Sequence, residues 1–374
     1  MRYKLDGVFH YYEKAFDKIS HPKLIYRLKK LGIGGCAINW LESFITTRRQ
    51  CVRVNGAFSN FEPVSSGVAQ GTLIGPLLFI LYISDISTTI EQSCGISLYA
   101  DDSQIWGACD TSTECHQLKQ SLHNLENWCN DWQLKINSEK SELLRIGSQN
   151  KQQDYELAGQ IIPAKKSCKD LGVMIGDDLY YRDHYGIITR NAHYQCRQFR
   201  NAFSSKNIDF LLLLYQTYVR PKIEYCCSVW TPYYKKHADL IENVQRKFTK
   251  FLPGFFYISY LERLQRLKIN TLEERRIYVD LVMVFKIYHE LVDINFDDYF
   301  KLNSGRTRGH PLKLSVKMSR INAHKFHFFN RVVQIWNDVP HDIIVVEKLS
   351  IFKRRIYEFD VKKYCIGRAF TQPI

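Results

Sequence analysis

The chain has 374 residues, 45% of them hydrophobic and 24% charged, a balance that fits a folded globular protein and excludes a disordered one. At this length two or more domains or subdomains are expected. Its formal net charge is +14, no apolar run reaches the length of a membrane span, and "MRYKLDGVFHYYEK" has no signal-peptide core, so neither a membrane segment nor a secretory leader is expected.

Residues 1–150 hold 15 Lys+Arg against 15 Asp+Glu, and residues 151–374 hold 37 against 23, so the whole basic excess lies in the second stretch. Such one-sided charge reads either as contact with a polyanion, nucleic acid first, or as a solvated basic surface. The 11 cysteines include no C-x-x-C pair and are read as reduced thiols of an intracellular protein.

In chain order, "HPKLIYRLKKLGI" predicts a helix with Pro22 in its first turn, Leu24, Leu28 and Leu31 on one face, and Gly32 as its stop. "AINWLESFITTR" predicts a second helix. "QCVRVNGAFSNFEPV" predicts a hairpin turning at Asn55-Gly56. "GPLLFILYISDISTTIEQ" predicts a helix opened by Pro76, with Leu77, Ile80 and Leu81 on a buried stripe. "GISLYA" and "SQIWGA" are short β-like runs on either side of Asp101 and Asp102, whose hydrophobic stem is expected to be buried. "TSTECHQLKQSLHNLENWCNDW" is an amphipathic helix with Cys115, Leu118, Leu122, Leu125, Trp128 and Trp132 in step. "SELLRIG" and "KDLGVMIG" each predict a strand. From about residue 182 the pattern is mostly helical, clearest in "LLLLYQTYVRPKIEY", "HADLIENVQRKFTKFL" and "LEERRIYVDLVMVFKIYHELV". "KLNSGRTRGHPLKLSVKMSR" reads as a basic loop or linker, with short helices at "FHFFNRVVQIWNDVP" and "SIFKRRIYEFDVKKY".

Two adjacent carboxylates in a tight turn repel each other unless a cation offsets them. Alone, Asp101-Asp102 reads as a polar turn. With a third acid on a neighbouring strand, the same pair suits two magnesium ions in phosphoryl transfer.

The surrounding boxes decide between these. "LYADD" resembles the Y-x-D-D box of reverse transcriptases. "SSGVAQGTLIGPLLFILYISDI" is similar to their template- and nucleotide-positioning box, "LKINSEKSELLRIG" to the next palm box, "CKDLGVMIGDDLYYRDH" to the primer grip, and "KAFDKISHPKLIYRLKKLGI" to the tail of the first catalytic box. "LYQTYVRPKIEYCCSVWTP", "ENVQRKFTKFLPG", "LEERRIYVDLVMVFKIYH" and "TRGHPLKL" resemble the region after the polymerase core in Jockey-like non-LTR retrotransposons.

The resemblance implies an α+β fold: a reverse-transcriptase palm over residues 1–180, with an antiparallel sheet and helices, then a mainly helical thumb-like region over 181–300 and a basic C-terminal extension over 301–374. It implies an RNA template, a DNA primer and deoxynucleotides as partners, two Mg²⁺ ions as cofactors, no membrane, and a place in the cytoplasm and nucleus. Asp101 and Asp102 match the metal-binding pair. Lys140 matches the palm lysine near the triphosphate, with an exposed strand-edge lysine as the competing reading. Ser66, Gly67, Gln70 and Gly71 match the positioning box, Tyr99 a ring beneath the primer end, and Phe16 the aromatic beside the nucleotide sugar, a core phenylalanine being the alternative.

The family's first box reads D-x-x-K-A-F-D, and here it is "YYEKAFD", with Tyr11 where the leading catalytic Asp belongs. A phenol with an ordinary pKa near 10 cannot replace that carboxylate. Glu13 and Asp17 are each displaced from the required place. Ala69 stands where the positioning box usually has Pro. The fingers that normally precede the palm are expected to be missing. The expectation is a polymerase domain impaired at Tyr11; the alternative is a non-catalytic RNA- or DNA-binding remnant using the basic helical half.

Overall fold

A computed structural model describes residues 4–147, 150–303 and 310–367. The chain divides into two units, Met1–Asp178 and Leu179–Ile374.

The first unit is built on a five-stranded sheet. Its strands are β1 (Leu5–Tyr11), β2 (Cys94–Tyr99), β3 (Asp102–Ala108), β4 (Glu142–Ile146) and the short β5 (Ala164–Lys165). Their order is β5-β4-β1-β3-β2, antiparallel throughout except for β5 on β4. Side chains alternate between the two faces of each strand. One face, carrying Val8, Ile105 and Leu143, packs on α1 (His21–Lys30), α2 (Gly35–Thr46), α3 (Ile74–Tyr82) and α4 (Ser112–Asp131) in one core. Phe9 and Leu144 on the other face pack with Cys168 and Ile175, from a hairpin made by β6 (Ser167–Asp170) and β7 (Val173–Gly176).

The α4 helix forms as its pattern predicts. Thr111 and Glu114 close a capping box at its start, and Cys115, Leu118, Leu122, Leu125 and Trp128 are buried. The Asn55-Gly56 turn also forms, both residues at positive φ, but its two-residue strands lie exposed on the surface.

Four expectations are corrected. On α3 the buried face is Gly75, Leu78, Phe79 and Tyr82, while Leu77 and Ile80 are 52% and 54% exposed. That run is apolar all round, so its periodicity does not choose a face. Gly75 does, because a Cβ there would lie 2.5 Å from the Ala69 carbonyl oxygen. On α1, Leu24 and Leu28 are buried but Leu31 is 48% exposed, since it caps the helix. "KDLGVMIG" is a hairpin rather than one strand: Leu171 and Gly172 both take positive φ and reverse the chain. The stem of the Asp101-Asp102 hairpin is only half buried, because β2 is the sheet edge and its Leu98 and Tyr99 remain exposed there.

The second unit is helical. Its elements include α5 (Arg182–Ala202), α6 (Ile208–Leu214), α7 (Lys235–Lys250), α8 (Leu272–Tyr288), α9 (Phe328–Asn337) and α10 (Leu349–Ile356). A wide π turn, Tyr215–Val219, follows α6 directly. It lies just before Pro221, whose ring and missing N–H do not fit a regular helix. The α5 and α7 helices pack together, and α8 packs on α9 and α10 around a core that runs from Ile277 to Val361. The loop read at residues 301–320 is irregular apart from a bridge between Leu302 and Leu314, and its residues 304–309, with the start of "TRGHPLKL", lie outside the described residues. No helix among the described residues is long and apolar enough to cross a membrane.

Candidate active site

The β2–β3 hairpin closes through Ala100 and Asp101, with Ala100 at positive φ. Asp101 therefore sits in the turn, while Asp102 is the first residue of β3. The register places Tyr11 opposite Asp102 on one side and Tyr99 opposite it on the other. Cross-strand partners share a face, so all three residues project together on the side covered by the β6–β7 hairpin.

A cleft of about 130 Å³ opens there. Its walls are Phe9, Tyr11 and Gln104 from the sheet, Tyr99 and Asp102 at the hairpin, and Lys169 and Asp170 from β6. The Tyr11 hydroxyl donates to the Lys169 carbonyl at 3.4 Å, and Gln104 Nε2 donates to Asp170 Oδ2 at 3.4 Å. Burial, and then Asp101 and Asp170, push the Asp102 carboxyl above its ordinary pKa, and burial likewise raises Asp170. Burial, followed by Asp102, Glu142 and Asp170, raises the Tyr11 phenol. Tyr11 is thus a neutral group surrounded by acids.

The positioning-box residues are tied to the first box. Ser66 Oγ donates to the Asp17 carbonyl at 2.8 Å, and Gln70 Nε2 donates to Asp17 Oδ1 at 2.8 Å. Gly67 N donates to the Ile19 carbonyl at 2.8 Å. Gly67 has φ 83°, and a Cβ there would meet the Phe16 carbonyl oxygen and Asp17 Cα at 2.7 Å, so only glycine fits. Gly71 also has positive φ but faces open space. Ala69 accepts a hydrogen bond from Thr72 Oγ1 through its carbonyl.

Of the remaining candidates, Phe16 and Lys140 lie apart from the cleft wall. Phe16 stacks on Phe79 with ring centroids 4.7 Å apart, at the edge of the core. Lys140 is exposed in the turn Ser138–Lys140 and does not line the cleft. Tyr99 is 67% exposed at the cleft rim. Glu13 pairs with Lys135 at 2.9 Å, and Asp17 is held by Gln70, so neither lines the cleft. Sequence reasoning missed Asp170, which joins Asp102 as a second carboxylate lining the cleft, from a strand distant in sequence. It also missed His21 and Arg48, which both reach the Gly67 carbonyl. The polar run around Lys169 and Asp170 was visible, but nothing in it showed which way the hairpin would fold.

The match to the family described as reverse transcriptase (RNA-dependent DNA polymerase) covers residues 9–175, which includes the cleft. Relatives include a probable RNA-directed DNA polymerase from transposon BS of Drosophila melanogaster, 26% identical over 72% of this chain and 31% of its own length. The RNA-directed DNA polymerase from mobile element jockey of the same organism is 24% identical, again over 72% and 31%. Residues 9–175 are a reverse-transcriptase domain of the non-LTR retrotransposon kind. The chain spans about a third of the length of these curated relatives. Among solved structures, telomerase from Candida albicans in complex with a fragment of telomeric RNA aligns over 71% of this chain and 51% of that one, with 12% identity and a TM-score of 0.40.

Divalent metal is the general cofactor of reverse transcriptases, so the palm's donor set is its own test. Among the described residues no group of three or more His, Cys, Asp or Glu side chains is arranged to hold a metal ion. Asp102 and Asp170 line the cleft and Asp101 sits in the turn, but the three do not converge as a ligand group, and the strand position opposite Asp102 offers a phenol that burial and neighbouring acids keep protonated. The residues present do not fit a two-ion centre.

Proposed function

We infer that this chain is a non-LTR reverse-transcriptase domain in which nucleotidyl transfer is lost or severely impaired, and that it holds nucleic acid through its basic second half. The carrying observation is Tyr11 in register with Asp102. In the ancestral reaction a primer 3′-hydroxyl attacks the α-phosphorus of a deoxynucleotide paired with an RNA template and pyrophosphate leaves, and palm carboxylates would hold the two Mg²⁺ ions that stabilise the attacking and leaving oxygens. Here the place of one carboxylate carries a group that cannot take on negative charge at neutral pH. The positive excess of residues 151–374 supports binding through phosphates, which weakens steeply with salt.

The test is Mg²⁺-dependent primer extension on an RNA template by the purified chain, alongside binding of an RNA–DNA hybrid. The expected result is no incorporation, with hybrid binding unchanged by Asp101→Ala and Asp102→Ala. Robust DNA synthesis that disappears in Asp101→Ala overturns the reading.

A further inference from the structure

The second unit holds a cavity of about 340 Å³ between α5, α6 and α7, within the size range of small-ligand sites. Two helices build it with the same spacing. On α5 the lining is carried by His193, Cys196, Arg197 and Arg200, with Phe199 at its margin; on α7 it is carried by Val244, Lys247 and Phe248, continued by Phe251. Each set follows the i, i+3, i+4, i+7 pattern of one helix face. Leu211 of α6 and Leu252 complete the floor.

The floor is apolar and fixed. Val244 and Leu252 are buried, and Phe248 stacks on Tyr215 with centroids 4.5 Å apart and planes 17° from parallel. The mouth is cationic. Arg197, Arg200 and Lys247 are exposed there, no acidic side chain lines the cavity, and among the described residues none of the three has a carboxylate partner. Arg200 instead lies over the Phe251 ring, 4.7 Å from its centroid. Burial and Lys247 hold His193 below its ordinary pKa, so the three long side chains supply the charge at neutral pH.

An apolar cavity floored by an aromatic ring and rimmed by cations without carboxylate partners complements a ligand with a planar, uncharged body and an anionic end. An unpaired nucleotide has that form, since every base presents a π face and every linkage a negative phosphate. A paired duplex does not, because its bases are already stacked. We propose that this cavity receives one unpaired base of a single-stranded nucleic acid, with the flanking phosphates on Arg197, Arg200 and Lys247. The proposal rests on reading the basic half as a nucleic-acid-binding surface and names what that surface selects.

The test compares the whole chain binding a 12-nucleotide oligo-thymidine and an abasic oligonucleotide of equal length and charge, by fluorescence anisotropy. The expected result is about tenfold or more tighter binding of oligo-thymidine, the scale of a single stacked base. That preference is lost in Val244→Trp, which fills the cavity. Because a core substitution can unfold the unit, the folding-independent measurement is photocrosslinking of a 4-thiothymidine oligonucleotide to the unaltered protein, expected at Phe199, Phe248 or Phe251. Arg200→Ala with Lys247→Ala, both at exposed positions, is expected to weaken both oligonucleotides while leaving the fold intact. Equal, tight binding of the two oligonucleotides, or crosslinks only elsewhere, overturns the cavity assignment and leaves the nucleic-acid reading standing. No binding of either overturns both. Laurate binding that is lost in Val244→Trp, together with base-independent oligonucleotide binding, assigns the cavity to a lipid anion and also overturns the proposal.

Discussion

His10 and Ser103 share a 2.8 Å hydrogen bond on the buried face of the sheet, one step along from the pair Tyr11 and Asp102 on the other face. Burial pushes the His10 imidazole down to about 4 from an ordinary 6.5. The unfolded chain therefore takes up a proton below pH 6.5 that the folded sheet refuses until about pH 4. Stability is full above pH 6.5 and is lost as pH falls toward 4, by roughly 3 kcal/mol in all from this one group. In His10→Phe this part of the acid sensitivity should vanish, although the variant starts less stable because the Ser103 hydroxyl loses its partner. Urea midpoints at pH 7, 6 and 5 check the difference in slope.

Tyr11→Asp places a third carboxylate against Asp102, near Asp170 and Glu142. Without divalent metal this should destabilise the protein by about 2 kcal/mol, through lost ring burial and like-charge repulsion. Millimolar Mn²⁺ should recover much of that loss by binding only the folded form. The unaltered protein should show little response to the ion. Calorimetry with and without Mn²⁺ measures this independently of catalysis, and a Mn²⁺ shift of equal size in both proteins would contradict the assignment.

Asp102→Asn tests the opposite sign of linkage. The Asp102 carboxyl is raised in the folded state, so the folded chain holds its proton more tightly than the unfolded chain does. That contribution is complete below the ordinary carboxylate pKa and is lost as pH rises through the raised one. The amide should therefore melt higher at neutral pH, by about 1–2 °C given the partial exposure of the site. The advantage should shrink as pH falls to 4, which a melting series across that range reads directly.

Gly67 and Gly71 form a matched pair of substitutions. Both have positive φ, but only Gly67 approaches neighbouring backbone. Gly71→Ala should cost about 1 kcal/mol from its backbone conformation alone. Gly67→Ala should cost about 2 kcal/mol or more beyond that, because the Phe16 carbonyl and the Asp17 backbone must move. Denaturant titration of the two variants separates strain from collision.

Much of this architecture was legible because local chemistry agreed with it. The heptad-like spacing of α4, the Asn55-Gly56 turn and the Pro22 start of α1 each name their own structure. Where a segment is apolar on every side, as around Leu77 and Ile80, only the packed neighbour chooses the face. The hairpin at Leu171-Gly172 was hidden because a leucine there must take a conformation that leucine seldom adopts. At the site, the motif residues were readable one by one. Their meeting was not: that Tyr11 lies opposite Asp102, and that Asp170 joins them, depends on strand register and on a hairpin folding over the sheet.

The Tyr11 backbone ends its strand in register with Asp102. Tyrosine and aspartate codons differ by a single base. A single base change therefore exchanges the phenol for an acid at this strand position with no strand changing its partner, so on the reading proposed above the difference between an impaired and a complete site is one of lettering rather than of architecture.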